Sequence, residues 1–198
     1  EGAGGGEEEQ SPAGPGSLSG WCGFHNDHCS LTGLLPGLFL DSDGKEVENE
    51  DPACGLYVCT RQGRMVKVDV PAAEVEVEAE SSGGAGSTGD DAGDVGGSGC
   101  ILFQIGETAQ IHSGGALQAT PHAVKATCQP GVSRETFAVF MEPQWDWDMD
   151  VPRGVDPAEA QSQEAAAFLP RGVPSISSRW RPGMDFAGFT ERTLAMFW

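Results

Sequence analysis

From Trp21 onward the apolar residues come in short runs, each closed by glycine, proline or a small polar residue, and such punctuation favours short strands over long helices. The clearest case is a pair of runs. Met65 to Val70 alternates apolar and polar residues with the two-residue period of a half-buried strand. Arg61-Gln62-Gly63-Arg64 separates it from the apolar run Gly55-Leu56-Tyr57-Val58-Cys59-Thr60, so the stretch predicts a hairpin. Cys100 to Ile105 predicts another strand, closed by a turn at Gly106-Glu107. A further strand is expected from about Ala116 to Ala126, after Gly114-Gly115. Arg134 to Met141 predicts one more, with Arg134, Thr136, Ala138 and Phe140 on one face and Glu135, Phe137 and Val139 on the other. Many short strands joined by glycine-rich turns point to an all-β domain: a sandwich, a jelly roll or a small barrel. Pro157 to Phe168 and Phe189 to Phe197 read as helices, the second as a cap over the barrel. No internal repeat is visible.

Two stretches stand outside this pattern. Residues 1–20 are glycine, glutamate, serine and proline with almost no large apolar side chain, a composition that cannot offset its own ordering entropy and predicts disorder. Residues 81–99 are almost wholly Gly, Ser, Ala, Thr and Asp and read as a flexible linker. The preceding Val75-Glu76-Val77-Glu78 alternation is taken into the same insertion, which then spans about 72–99. The expected organisation is a disordered start, an all-β domain over 21–145 interrupted by that insertion, and a C-terminal extension with helices over 146–198.

The 198 residues are enough for one domain with a sizeable core, and they carry a formal net charge of −19. A chain so acidic repels phosphate backbones and anionic lipid, so neither nucleic acid nor a membrane surface is expected as a partner. The best apolar run, Leu31 to Leu40, is broken by Gly33, Pro36 and Gly37 and is too short to span a bilayer. No basic-then-apolar leader is seen, and the chain starts at Glu1, so the expectation is a cytoplasmic monomer that is a fragment or a processed product. Cys22, Cys29, Cys54, Cys59, Cys100 and Cys128 show no paired zinc spacing and read as free thiols of a reducing compartment. A zinc site from Cys22, His25, His28 and Cys29 is the alternative, but the second half of a closed tetrahedral site is not evident.

With four histidines in the chain, candidates for chemistry are few. In His25-Asn26-Asp27, an imidazole and a carboxylate two apart on a strand would face the same way and could hold one metal. A second histidine from a distant strand would complete a facial triad, leaving positions open for cosubstrate and dioxygen. Alone, the tripeptide is weak evidence, since such sequences occur by chance, and it reads as surface or capping polarity. Arg134 and Thr136, again two apart, could grip a carboxylate with a planar fork and a hydroxyl, or Arg134 could simply pair with a nearby acid. His122, in Thr120-Pro121-His122-Ala123-Val124, is by itself an ordinary core or edge histidine.

Taken together these features resemble a known family. The order His-x-Asp, distal His, Arg-x-Thr is similar to that of the plant-type 2-oxoglutarate and iron(II) dioxygenases, the isopenicillin N synthase-like superfamily. Matching stretches are Phe24-His25-Asn26-Asp27-His28-Cys29-Ser30-Leu31-Thr32, Gly55-Leu56-Tyr57-Val58, Phe103-Gln104-Ile105-Gly106-Glu107 and Arg134-Glu135-Thr136-Phe137. The resemblance covers roughly residues 21–145 outside the insertion, and its wording is nearest to a eukaryotic branch of the superfamily. It implies a double-stranded β-helix, or jelly roll, with His25, Asp27 and His122 as Fe(II) ligands and Arg134 and Thr136 on the far carboxylate of 2-oxoglutarate. Threonine replaces the family's usual serine and keeps the hydroxyl. His28, three residues from His25, would face the other side of a regular strand, and His112 falls at a turn, so neither is favoured as a ligand.

The implied activity is oxidation, hydroxylation above all, of a small organic substrate, with dioxygen consumed and succinate and CO2 released. Two alternatives accompany it: an iron oxidase that does not use 2-oxoglutarate, and a truncated, non-catalytic jelly-roll module. The family places a long region ahead of His-x-Asp, whereas about twenty low-complexity residues precede it here, which implies a shortened chain.

Overall fold

Three antiparallel sheets, one of four strands, one of three and one of two, make up the β part of the described residues. The computed structural model describes residues 20–69, 100–162, 169–170 and 172–196. Residues 1–19 of the expected disordered start, all of the insertion at 72–99 and the second half of the helix expected over Pro157–Phe168 lie outside the described residues, while Gly20 begins a strand. In chain order the elements are β1 (Gly20–His25), β2 (Leu31–Leu34), β3 (Leu38–Leu40), β4 (Gly55–Cys59), β5 (Met65–Lys67), β6 (Leu102–Ile105), α1 (Glu107–His112), β7 (His122–Lys125), β8 (Ser133–Glu135), β9 (Ala138–Met141), α2 (Pro157–Ala160), α3 (Ile176–Arg179) and α4 (Phe186–Leu194). The sheet orders are β1-β7-β4-β5, β6-β2-β9 and β3-β8. No described helix is long and apolar enough to cross a membrane.

The predicted hairpin is present. Tyr57, Val58 and Cys59 pair with Lys67, Val66 and Met65. Thr60 closes the turn, accepting from Gly63 N–H at 2.8 Å and donating to the Arg64 carbonyl at 2.8 Å, with Gly63 at a φ of 73°. The second strand stops at Lys67, earlier than the alternation suggests.

The single strand expected over Arg134–Met141 is two strands in two sheets. β8 pairs with β3, and β9 pairs with β2. The cause lies in the partner chain segment Leu35-Pro36-Gly37, between β2 and β3. Pro36 has no N–H to give a ladder, so the pairing breaks there. Leu35 N–H donates to the Phe137 carbonyl at 2.9 Å, and the Thr136 hydroxyl donates to the Leu35 carbonyl at 2.8 Å. Thr136 therefore lies in the break and does not share a strand face with Arg134. The long strand expected over Ala116–Ala126 likewise shortens to His122–Lys125.

The turn expected at Gly106-Glu107 is instead the start of α1. Its buried residues are Glu107, Thr108, Gln110 and Ile111, mostly polar, so no apolar stripe marks it in the sequence. Each polar one has a partner. Gln110, for example, donates to the Ala160 carbonyl at 2.6 Å and accepts from Ala119 N–H at 2.8 Å.

Ile111 of α1 also anchors the main apolar cluster, with Met149, Ala160, Ile176, Trp180, Phe186 and Phe189. Apart from Ile111, this cluster comes wholly from residues 146–198. The C-terminal segment thus supplies nearly all of this cluster, and Ile111 ties it to α1. α4 contributes one face to it: Phe186, Phe189, Thr190 and Thr193 follow helical spacing, and the Asp185 carboxylate caps the helix by accepting from Gly188 N–H at 2.8 Å. Trp180 Nε1 donates to the Met149 carbonyl at 2.6 Å, satisfying the indole inside the cluster.

Candidate metal centre

His25 ends β1 and His122 begins β7, and the two residues are direct partners across the antiparallel pair. That register depends on a β-bulge. Cys22 faces Val124, yet His25, three residues on, faces His122, only two residues back. The extra residue re-aims β1 and brings both imidazoles to one side of the sheet. Their ring centroids are 4.2 Å apart and tilted by 56°.

Asp27 arrives differently from the sequence expectation. β1 has ended at His25, so the carboxylate is brought in by a turn, not by strand alternation. α1 holds that turn. The Glu107 amide donates to the Asp27 carbonyl at 2.8 Å, the Thr108 amide to the Cys29 carbonyl at 3.2 Å, and the Thr108 hydroxyl to the His28 carbonyl at 2.6 Å. Gly106 is required here because a Cβ at that position would collide with the Cys29 carbonyl.

The result is a compact donor set. Asp27 Oδ1 lies 3.7 Å from His25 Nε2 and 3.7 Å from His122 Nε2. One ligand atom from each residue falls within 4.8 Å of the others, and this is the metal-capable group found among the described residues. His25 Nδ1 bonds the Gly23 carbonyl at 2.8 Å, and His122 Nδ1 bonds the Thr120 carbonyl at 3.1 Å. A carbonyl can only accept, so each Nδ1 carries a proton and each Nε2 is left to bind a metal. The Thr32 hydroxyl donates to Asp27 Oδ2 at 2.6 Å, which leaves Oδ1 facing the imidazoles. Two imidazoles and one carboxylate, with their outer atoms already oriented, fit a divalent first-row metal such as iron(II).

Electrostatics separates the two histidines. His25 is pushed up to about 9, chiefly by its hydrogen bond with the Cys22 thiol, with smaller help from the Gly23 carbonyl and the Asp27 charge. His122 is held below the usual histidine range by burial, and then by the charge of His25.

The other histidines are engaged elsewhere. His28 lies 3.7 Å from Glu142 and stacks on Phe186 at 5.8 Å. His112 Nε2 donates to the Asp148 carbonyl at 3.0 Å, at the end of α1. The zinc alternative loses Cys29, which is buried with its sulfur 3.2 Å from the Thr32 hydroxyl. None of the six cysteines forms a disulfide.

Arg134 lines a cavity of about 250 Å³ with Leu34, Phe39, Cys54, Leu56 and Lys67. None of the three clustered ligand residues lines it. Gly37 makes room for the guanidinium, since a Cβ there would collide with Arg134 Nε. Burial holds Arg134 below its ordinary value. Among the described residues no hydrogen bond or ion pair engages its guanidinium, so the fork is available to an anion entering the cavity. The Thr136 hydroxyl, spent on Leu35, does not line this cavity.

The sequence does not disclose a second group. Arg179 and Glu107 form a bidentate ion pair at 2.8 and 2.7 Å, the side chains 2% and 1% exposed. Glu107 Oε1 also accepts from Asn26 Nδ2 at 3.1 Å, inside the His-x-Asp tripeptide. Burial raises the Glu107 carboxyl, while Arg179 and Asn26 pull it back. The one sequence signal is a carboxylate wedged between the apolar run ending at Ile105 and Ile111.

No family model matches the chain. No curated protein matches it either. Several solved structures do. One is a full-length Neurospora crassa protein in complex with alpha-KG, at 15% identity and a TM-score of 0.47, over 88% of this chain and 37% of that one. The same protein with alpha-KG and thymine gives 15% identity and a TM-score of 0.48, over 93% and 39%. A protein of Caulobacter crescentus assigned to the 2OG-Fe(II) oxygenase family gives 16% identity and a TM-score of 0.48, over 89% and 40%. The chain thus spans about two fifths of the length of each of these structures.

Proposed function

We propose that this protein is an Fe(II)- and 2-oxoglutarate-dependent dioxygenase that oxidises, by hydroxylation in the first instance, a small organic substrate. In this reading the sheets are parts of a double-stranded β-helix of the isopenicillin N synthase-like kind. The observation that carries it is the convergence of His25 Nε2 and His122 Nε2 on Asp27 Oδ1, at 3.7 Å each. These three residues would hold the iron. When bound, the metal with 2-oxoglutarate and dioxygen supplies the oxidising power, and 2-oxoglutarate leaves as succinate and CO2.

The chain's own residues bind and orient. The Gly23 and Thr120 carbonyls hold the two rings in the tautomer that presents Nε2. Thr32 holds one carboxylate oxygen of Asp27 so that the other faces the metal. Arg134 offers its fork to the far carboxylate of 2-oxoglutarate, an anion that would relieve a half-buried cation. Thr136 keeps an oxygen lone pair but no free proton, so its part is to fix the backbone break beside Arg134.

A second reading keeps the iron and omits 2-oxoglutarate. It is favoured by one observation, that the Arg134 cavity and the ligand cluster share no residue. Anaerobic titration with Fe(II) and 2-oxoglutarate separates the two. A visible metal-to-ligand charge-transfer band, lost in His25→Ala, is expected. Iron binding without the band would favour the second reading. Equal behaviour of the wild type and His25→Ala would remove both.

A further inference from the structure

The Glu107–Arg179 pair is not part of the donor set, yet it reaches the turn that carries Asp27. Glu107 grips the His-x-Asp tripeptide twice: its amide donates to the Asp27 carbonyl at 2.8 Å and its carboxylate accepts from the Asn26 side chain at 3.1 Å. Arg179 fixes that carboxylate in one plane with two parallel bonds. Its remaining donors are taken by Thr193 Oγ1 at 3.0 Å, the Pro174 carbonyl at 2.9 Å and the Ser175 carbonyl at 3.2 Å, and its guanidinium lies over the Phe189 ring. The guanidinium is therefore held by α3, α4 and the loop before α3. A second tie runs in parallel, from His28 of the same turn to Phe186 of α4.

Stability alone gives no reason for an ion pair here. Buried pairs can be replaced by well-packed apolar residues of similar volume at no cost, or with a gain. A bidentate pair does supply direction: a fixed acceptor at a fixed angle.

We propose that Glu107, locked by Arg179, is a positioning residue for the metal centre. It acts through Asn26 and the Asp27 backbone to aim the Asp27 carboxylate, so that the C-terminal helices set how tightly the metal is held. This rests on His25, Asp27 and His122 being metal ligands.

Co(II), added to the full chain, is the probe, because its visible absorption reports ligand geometry and its titration reports affinity. Asn26→Ala cuts the side-chain link, the one through which the locked carboxylate acts, and leaves the ion pair and the Glu107 amide bond to Asp27 intact. The double variant Glu107→Leu/Arg179→Met removes both charges together, so no buried charge is left unpaired. Each is expected to keep a cooperative thermal transition, to bind Co(II) about 10- to 100-fold more weakly, and to show an altered visible spectrum. A merely structural pair would leave the spectrum of a folded variant unchanged. If the double variant does not fold, Asn26→Ala decides. Folded Asn26→Ala with wild-type affinity and spectrum overturns the inference while leaving the metal site standing. A wild type that binds Co(II) no better than His25→Ala removes the metal site and the inference with it.

Discussion

The helical end of the molecule and the three-stranded sheet β6-β2-β9 treat the same kinds of side chain in opposite ways. At the helical end, Ile111, Met149, Trp180, Phe186 and Phe189 are buried together. At the sheet, Phe103 of β6 and Phe137, just ahead of β9, are 62% and 65% exposed, with Ile101, Val139 and Met141 beside them. Gly33, with no side chain, floors a groove of about 370 Å³ between them. Aromatic content therefore does not locate the core here. What locates it is α1, which touches both the C-terminal helices and the turn carrying Asp27. The apolar cluster and the metal centre share a wall, while the groove stands apart from both.

This contrast can be broken by substitution. The largest effect is expected from Phe189→Ala, which opens a cavity in the cluster and should cost about 3–5 kcal/mol in denaturant unfolding. A cost near zero would place the core elsewhere. Arg134→Ala removes charge-assisted bonds to an anion. It should weaken 2-oxoglutarate binding by about 1.5–3 kcal/mol, roughly 10- to 100-fold, in competition with a fluorescent analogue, while iron affinity holds. Equal loss of both would make Arg134 structural. Thr32→Val frees Asp27 Oδ2 and should reduce metal affinity about 10-fold, at the low end of the range for such supporting bonds, with little change in unfolding. The smallest effect belongs to the groove: Phe103→Ser or Phe137→Ser should alter stability by no more than about 0.5 kcal/mol. A large loss at either would show that the sheet face is covered.

The readable and unreadable parts of the sequence divide along physical lines. The hairpin at 55–67 is legible because its signals are local: two-residue alternation and a glycine turn. α1 is not, because its inward face is Glu107, Thr108 and Gln110, and polarity in a sequence looks like exposure. The break between β8 and β9 is hidden because its cause, Pro36, sits about a hundred residues away, in the link between β2 and β3. At the site, residue identity is easier to read than placement. The three residues that cluster are the ones the sequence singles out, but a bulge aligns His25 with His122 and a turn delivers Asp27. Arg134 and Thr136 share a face by spacing alone and are parted by the same break. Neither Asn26 nor Arg179 gives any signal, since the bonds that join them through Glu107 span 81 and 72 residues.

Those spans have a consequence for how the molecule is made. A ribosome delivers His25 and Asp27 among the first described residues and Arg179 and Thr193 among the last. The β strands can pair as they emerge, but the turn that carries Asp27 gains its full set of restraints only when the helical end has docked. The candidate metal centre is encoded early and finished late, so a chain halted before residue 179 would carry His25, Asp27 and His122 and lack the Arg179 bonds that fix Glu107 beneath the Asp27 turn.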